Sequence, residues 1–99
     1  MALFTKRLEV NGTLATGKKY KVNNFETFKV EGKYGRHNTA IVETAEGVIA
    51  YLPQTGADAL AWNLDEARAA IETGLYVTLR PAHSRKFNSD FIACDFSNE

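Results

Sequence analysis

Lys18-Lys19-Tyr20-Lys21-Val22-Asn23-Asn24-Phe25-Glu26-Thr27-Phe28-Lys29-Val30 is the stretch whose reading decides the fold. Tyr20 and Val22, then Phe28 and Val30, alternate with Lys19, Lys21 and Lys29, the period-two pattern of a strand with one polar, basic face. Asn23-Asn24 interrupts the alternation, and Asn tolerates the dihedral angles that a bulge or bend requires. One long, bent strand is therefore expected here.

Working outward, residues 3–10 read as a strand or edge arm, followed by turn signals at Val10-Asn11-Gly12 and Thr16-Gly17. Residues 32–38, Gly-Lys-Tyr-Gly-Arg-His-Asn, read as a loop. Residues 39–44 and 48–52 are apolar, β-branched and joined by Ala45-Glu46-Gly47, which predicts a tight hairpin. Pro53 stops its second strand. From about residue 56 to 73 the chain is rich in Ala, Leu, Asp and Glu, with Leu60, Leu64, Ala67 and Ile71 at helical spacing. Asn63 fits a cap inside that segment, Asp65 and Glu66 fit the first turn after it, and Gly74 fits a left-handed end. Residues 75–80 alternate again, 81–88 form a basic loop, and 89–96 supply a last strand.

This order predicts a mainly β protein with one inserted helix, a small OB-like five-stranded barrel formed by residues 1–99 as a single domain. Val42, Ile49, Val77 and Ile92 are expected on its inner face. An α+β arrangement with a helix packed on an open sheet would give the same string.

Ninety-nine residues with 44% apolar content are enough to bury a core without a metal or disulfides. Cys94, the lone cysteine, lies in the apolar run Phe91-Ile92-Ala93-Cys94 and reads as a small core residue. No apolar run approaches the ~20 residues that cross a bilayer, and the first residues lack the order of a secretory signal, so a cytoplasmic protein without a membrane partner is expected. The zero net charge hides a segregation: residues 1–40 hold eight Lys/Arg against three acids, and residues 41–79 hold Arg68 alone against six acids. A polyanion responds to the local patch, because fields beyond ~8–10 Å are screened.

Two constellations within this pattern combine cations with an aromatic ring. The first contains Lys33, Tyr34, Arg36 and His37 among Gly32 and Gly35, where the glycines let a loop approach a ligand and Tyr34 offers a face to a base. The second is Arg80, Arg85, Lys86 and Phe87 around Pro81-Ala82-His83-Ser84. Lys19 and Lys21 add charge along the bordering strand. Two such loops are what an electrostatic groove with stacking platforms needs; ordinary solvated hairpin tips would have the same composition. The histidines lack metal-ligand spacing, and no nucleophile elbow or phosphate loop is present, so neither an enzyme nor a cofactor is expected. Trp62 reads as a core or interface residue.

With these residues in place, the layout resembles that of small phage-type single-stranded DNA-binding proteins with an OB-fold. The matching features are a strand leading into Gly32-Lys33-Tyr34-Gly35, and Gly74-Leu75-Tyr76-Val77 before a basic, aromatic hairpin and a final strand. The resemblance covers residues 18–96. It implies a largely sequence-independent binder that coats replication or recombination intermediates, as a homodimer in many such proteins, alongside replication or recombination proteins. The alternative is a protein-interaction module, such as a phage-encoded inhibitor or adaptor, that uses Trp62 and the acidic helix.

Overall fold

The computed structural model describes residues 8–33 and 35–98. Their order is β1 (Lys19–Gly32), β2 (Gly35–Thr44), β3 (Ile49–Tyr51), α1 (Gln54–Trp62), α2 (Leu64–Thr73), β4 (Tyr76–Ser84) and β5 (Ser89–Ser97). The strands form one antiparallel sheet in the order β3-β2-β1-β4-β5. Of the predicted arm, residues 3–7 lie outside the described residues; Leu8 N–H donates to Glu26 at 3.3 Å and belongs to no strand.

The long strand changes neighbours along its length. Lys19, Tyr20 and Lys21 pair with Thr78, Val77 and Tyr76 of β4, whereas Asn24 to Gly32 pair with β2. The register slips between Val22 and Asn24. One extra residue there reverses the parity of everything that follows, because side chains alternate faces with a period of two. The inward sequence Tyr20, Val22 therefore continues as Phe25, which is only 1% exposed, and not as Phe28 and Val30. Lys29 consequently shares a face with Phe25, opposite to that of Lys19 and Lys21, a correction to the single basic face read from the sequence.

The core joins Tyr20, Val22, Phe25, Ala40, Val42, Val77 and Leu79 of the sheet to Ala57, Leu60 and Ala67 of the helices. Val42 and Val77 are fully buried as expected, but Ile49 is half-buried and Ile92 is exposed. The guanidinium of Arg68 of α2, a solvent-exposed residue, lies over the Phe25 ring with its central carbon 4.9 Å from the ring centre.

The predicted single helix is two. Asn63, at φ −132° and ψ 41°, leaves the helical region, and its side-chain amide donates to Ala59 O at 2.9 Å, closing α1. Its carbonyl accepts from Ala67 N–H at 2.9 Å, opening α2. Asp65 and Glu66 then occupy the first turn, where the helix dipole favours acids.

The predicted barrel is not closed: β3 and β5 are the two edges of the sheet. β3 has three residues and ends before Pro53, and its outer edge is occupied by Asn11, whose N–H reaches Ile49 O and whose side-chain oxygen accepts from Ile49 N–H, both at 2.8 Å. The start of α1 stands between the two sides instead. Gln54 donates to Asn38 O of β2 at 2.9 Å, and Thr55 donates to Ile92 O of β5 at 3.2 Å. Gly56 permits this approach, since a β-carbon there would lie 2.6 Å from Cys94 Sγ.

Candidate nucleic-acid interface

Strand pairing extends both hairpins and shortens both basic loops. β1 and β2 pair to Gly32 and Gly35, with Lys33 in a turn after Gly32; Tyr34 lies outside the described residues. Gly35 adopts φ 109°, a conformation that glycine reaches without strain. Arg36 and His37 therefore belong to β2, and as neighbours in a strand they point to opposite faces. Arg36 is bonded to Glu31 at 3.3 Å, and the His37 ring lies over Gly32, where an added β-carbon would meet it at 3.2 Å. The first constellation thus does not gather its cations on one face.

The second hairpin runs through Pro81 to Ser84, paired with Ser89 to Ile92, so the loop read at 81–88 contracts to Arg85, Lys86, Phe87 and Asn88. Pro81 is tolerated because of its side of the ladder. Leu79 gives its carbonyl to Gly17 on the edge toward β1, and Pro81, two residues on, turns its missing N–H to that same edge, beyond the start of β1. At the tip, Asn88 has φ 45°, Phe87 N–H donates to Ser84 Oγ at 3.3 Å, and Lys86 Nζ stands 5.4 Å from the Phe87 ring centre. Phe87 is 73% exposed, with Lys86 beside its ring and Arg85 exposed in the same turn.

Lys19 and Lys21 lie on the outward face at the junction of the two hairpins, opposite Thr78 and Tyr76. Lys19 Nζ is 5.6 Å from the Tyr76 ring centre. Because β4 runs antiparallel to β1, the two hairpins leave this junction in opposite senses along the strands, carrying Lys33 to one end and Arg85 to Phe87 to the other. Arg80 shares the outward face with Lys19 and Lys21, but its guanidinium is engaged by Asp95 at 2.8 and 3.3 Å. That hydrogen bond holds the Asp95 carboxyl below the usual carboxylate range. Asp58 accepts from Asn38 and Gln54, beside β2, while Asp65, Glu66 and Glu72 stand on α2.

Sequence reasoning missed Phe91 and Ile92, both exposed in the distal ribbon, and Tyr51 at the β3 edge. Phe91 and Ile92 line a shallow groove of about 520 Å³ with Pro81, Ala82, His83 and Asp90. His83 Nδ1 and Asp90 Oδ1, directly opposite across the ladder, are 2.8 Å apart. The signal was present in the matched spacing of residues 80–84 and 89–93, which continues the hairpin past the point where apolar alternation ends. Cys94 packs on Gly56, and burial, helped by the Asp95 charge, pushes its thiol up to about 12, so it is no thiolate nucleophile at neutral pH.

Among the described residues no three His, Cys, Asp or Glu side chains gather to hold a metal, and no helix is long and apolar enough to cross a membrane. No family model, no curated protein and no solved structure matches the chain.

Proposed function

We propose that this protein binds single-stranded DNA without strong sequence preference. The observation that carries the reading is the β4–β5 tip, where Phe87 is held out in solvent with Lys86 beside its ring and Arg85 exposed in the same turn. Single strands are bound by pairing exposed rings with positive charge, since every base has a face to stack and every nucleotide a phosphate. OB-folds are partly open five-stranded barrels that bind oligonucleotides with the loops joining strands 1 and 2 and strands 4 and 5. Those are the two basic loops of this chain. Closure of the sheet is not needed for the reading, because open sheets also present rings to bases. Coating of replication or recombination intermediates, in a phage, is what the resemblance of layout adds.

Fluorescence anisotropy of a labelled oligo-dT across a salt series tests the proposal. Affinity is expected to fall steeply with salt, each phosphate contact adding about 0.7 to the slope of log affinity against log salt, so that Lys33→Ala and Arg85→Ala each flatten it. Phe87→Ala is expected to weaken binding by roughly 1–3 kcal/mol. Binding absent at low salt, or unaffected by all three changes, would overturn the assignment. A second reading, the protein-interaction module, draws on Trp62, which is 76% exposed beside Asp65 and Glu66; binding through that surface would leave oligonucleotides untouched.

A further inference from the structure

Trp62 and Phe87 are the two most exposed large apolar side chains among the described residues. Their surroundings carry opposite charge. Trp62 ends α1 at the break into α2 and borders a shallow depression with Ala61, Asn63, Leu64, Asp65 and Glu66. Phe87 stands between Lys86 and the end of a turn that begins with Arg85. Neither ring is explained by folding, since both are in solvent. A large apolar side chain held in water beside charge is a feature of contact surfaces.

We infer that these two surfaces fit each other between copies of this chain: the tip of one β4–β5 hairpin seats on the Trp62 surface of the next, head to tail. Arg85 and Lys86 then face Asp65 and Glu66, and Phe87 shares the depression with the Trp62 ring, whose face also accepts a cation. Charge complementarity selects a second copy. The one cation on α2, Arg68, lies over the Phe25 ring, and among the described residues no basic side chain is bonded to the acids that border the depression. The tip does not reach them intramolecularly, because the backbone neighbours of α2 are α1 and β1, not the β4–β5 ribbon.

The two surfaces are different, so the contact is heterologous and propagates instead of pairing off. A hairpin tip in a shallow depression is at the small end of interfaces, which makes the association weak and dependent on concentration. It is driven largely by charge, so salt dissolves it. The contact does not rest on nucleic-acid binding, but it uses the same tip. An oligonucleotide and a neighbouring copy would therefore compete for Phe87.

Sedimentation velocity of the full chain, without nucleic acid, tests the inference. At ~50 mM salt the average mass is expected to rise with concentration beyond a dimer, and at ~500 mM salt to return to the 11.0 kDa monomer. Glu66→Lys and Lys86→Glu, both at exposed positions, are each expected to weaken association at least ~tenfold through like-charge contact. An equimolar mixture of the two variants should associate again, since the intact tip of one meets the intact surface of the other. A monomer at every concentration, or an oligomer that neither variant weakens, overturns the proposal. Failure here with salt-dependent oligo-dT binding intact would leave the nucleic-acid reading standing.

Discussion

The β1–β2 and β4–β5 hairpins are built alike and end differently. Each is a long antiparallel ribbon with a short turn carrying cations. Along β1–β2 the inner face is covered: Phe25, Ala40 and Val42 are buried beneath the helices, and even Asn38, near the tip, is tied to α1 through Asp58 and Gln54. Along β4–β5 the cover stops. Val77 and Leu79 are buried, and so is Ala93 opposite Arg80, but from Pro81 and Ile92 outward the ribbon is exposed except at Ala82 and Ser84, which are half-buried. A lone two-stranded ribbon is marginal in water. The distal half is held by its continuity with the packed half and by cross-strand pairs such as His83–Asp90 and Arg80–Asp95. Pairing sets the length of a strand, whereas the helix above it decides how much becomes core.

The comparison breaks most sharply on two residues of one type. Phe25→Ala removes a fully buried ring on which Arg68 stacks, and is expected to cost about 3–5 kcal/mol in urea unfolding. Phe87→Ala, at the uncovered tip, is expected to shift the same midpoint by no more than ~0.5 kcal/mol. Equal costs would mean that the distal ribbon is packed against something and that Phe87 is not available to a ligand.

The next effect concerns the place where α1 packs most closely on β5, at Gly56 and Cys94. Alanine at Gly56 would put a β-carbon 2.6 Å from Cys94 Sγ and 2.9 Å from its Cβ, closer than real contacts allow, with Leu52 at 3.3 Å on another side. Gly56→Ala is expected to destabilise by roughly 1–3 kcal/mol through overpacking. Because the sulfur is the nearest obstacle, Gly56→Ala combined with Cys94→Ala should cost less than the sum of the two single changes. Strict additivity would show that the helix does not rest on β5 at this point.

Much of this architecture was legible. The tight β2–β3 hairpin, the helical segment after Pro53 and the final strand pair follow from turn residues and periodicity; Asn63 does stand at the helix break, but its side chain makes no cap bond to α2 and donates back to Ala59 O instead. What escaped reading was parity and closure. Asn23-Asn24 signals a bulge, but only the partner strand determines how many residues the bulge inserts, and one residue moved Lys29 to the other face. Ile92 looked like core because it is apolar in a strand; its side chain is exposed even though Thr55 of α1 bonds its carbonyl. Arg36 and His37 looked like loop residues because glycine and charge dominate there, yet they pair with Glu31 and Val30 as part of β2. The tip of β4–β5, by contrast, was readable as a basic, aromatic turn from composition alone.

The smallest expected effect asks whether the outward face between the hairpins belongs to the nucleic-acid path. Arg80 lies on that face with Lys19 and Lys21, but Asp95 holds its guanidinium at 2.8 Å and cancels its charge locally. Acid is a poor way to release it. The Arg80 bond lowers the Asp95 pKa, so the stability the pair contributes is present above the ordinary carboxylate range and is lost only as the pH falls below it, where other carboxylates already carry protons. Asp95→Asn releases Arg80 at neutral pH instead. The pair is exposed, so the substitution is expected to change stability little. If a single strand crosses this face, the variant should bind oligo-dT more tightly, and the salt slope should steepen by about 0.7, the increment for one added phosphate contact. An unchanged slope would confine the strand to the tip, and Lys19 and Lys21 would then be a solvated face with no part in binding.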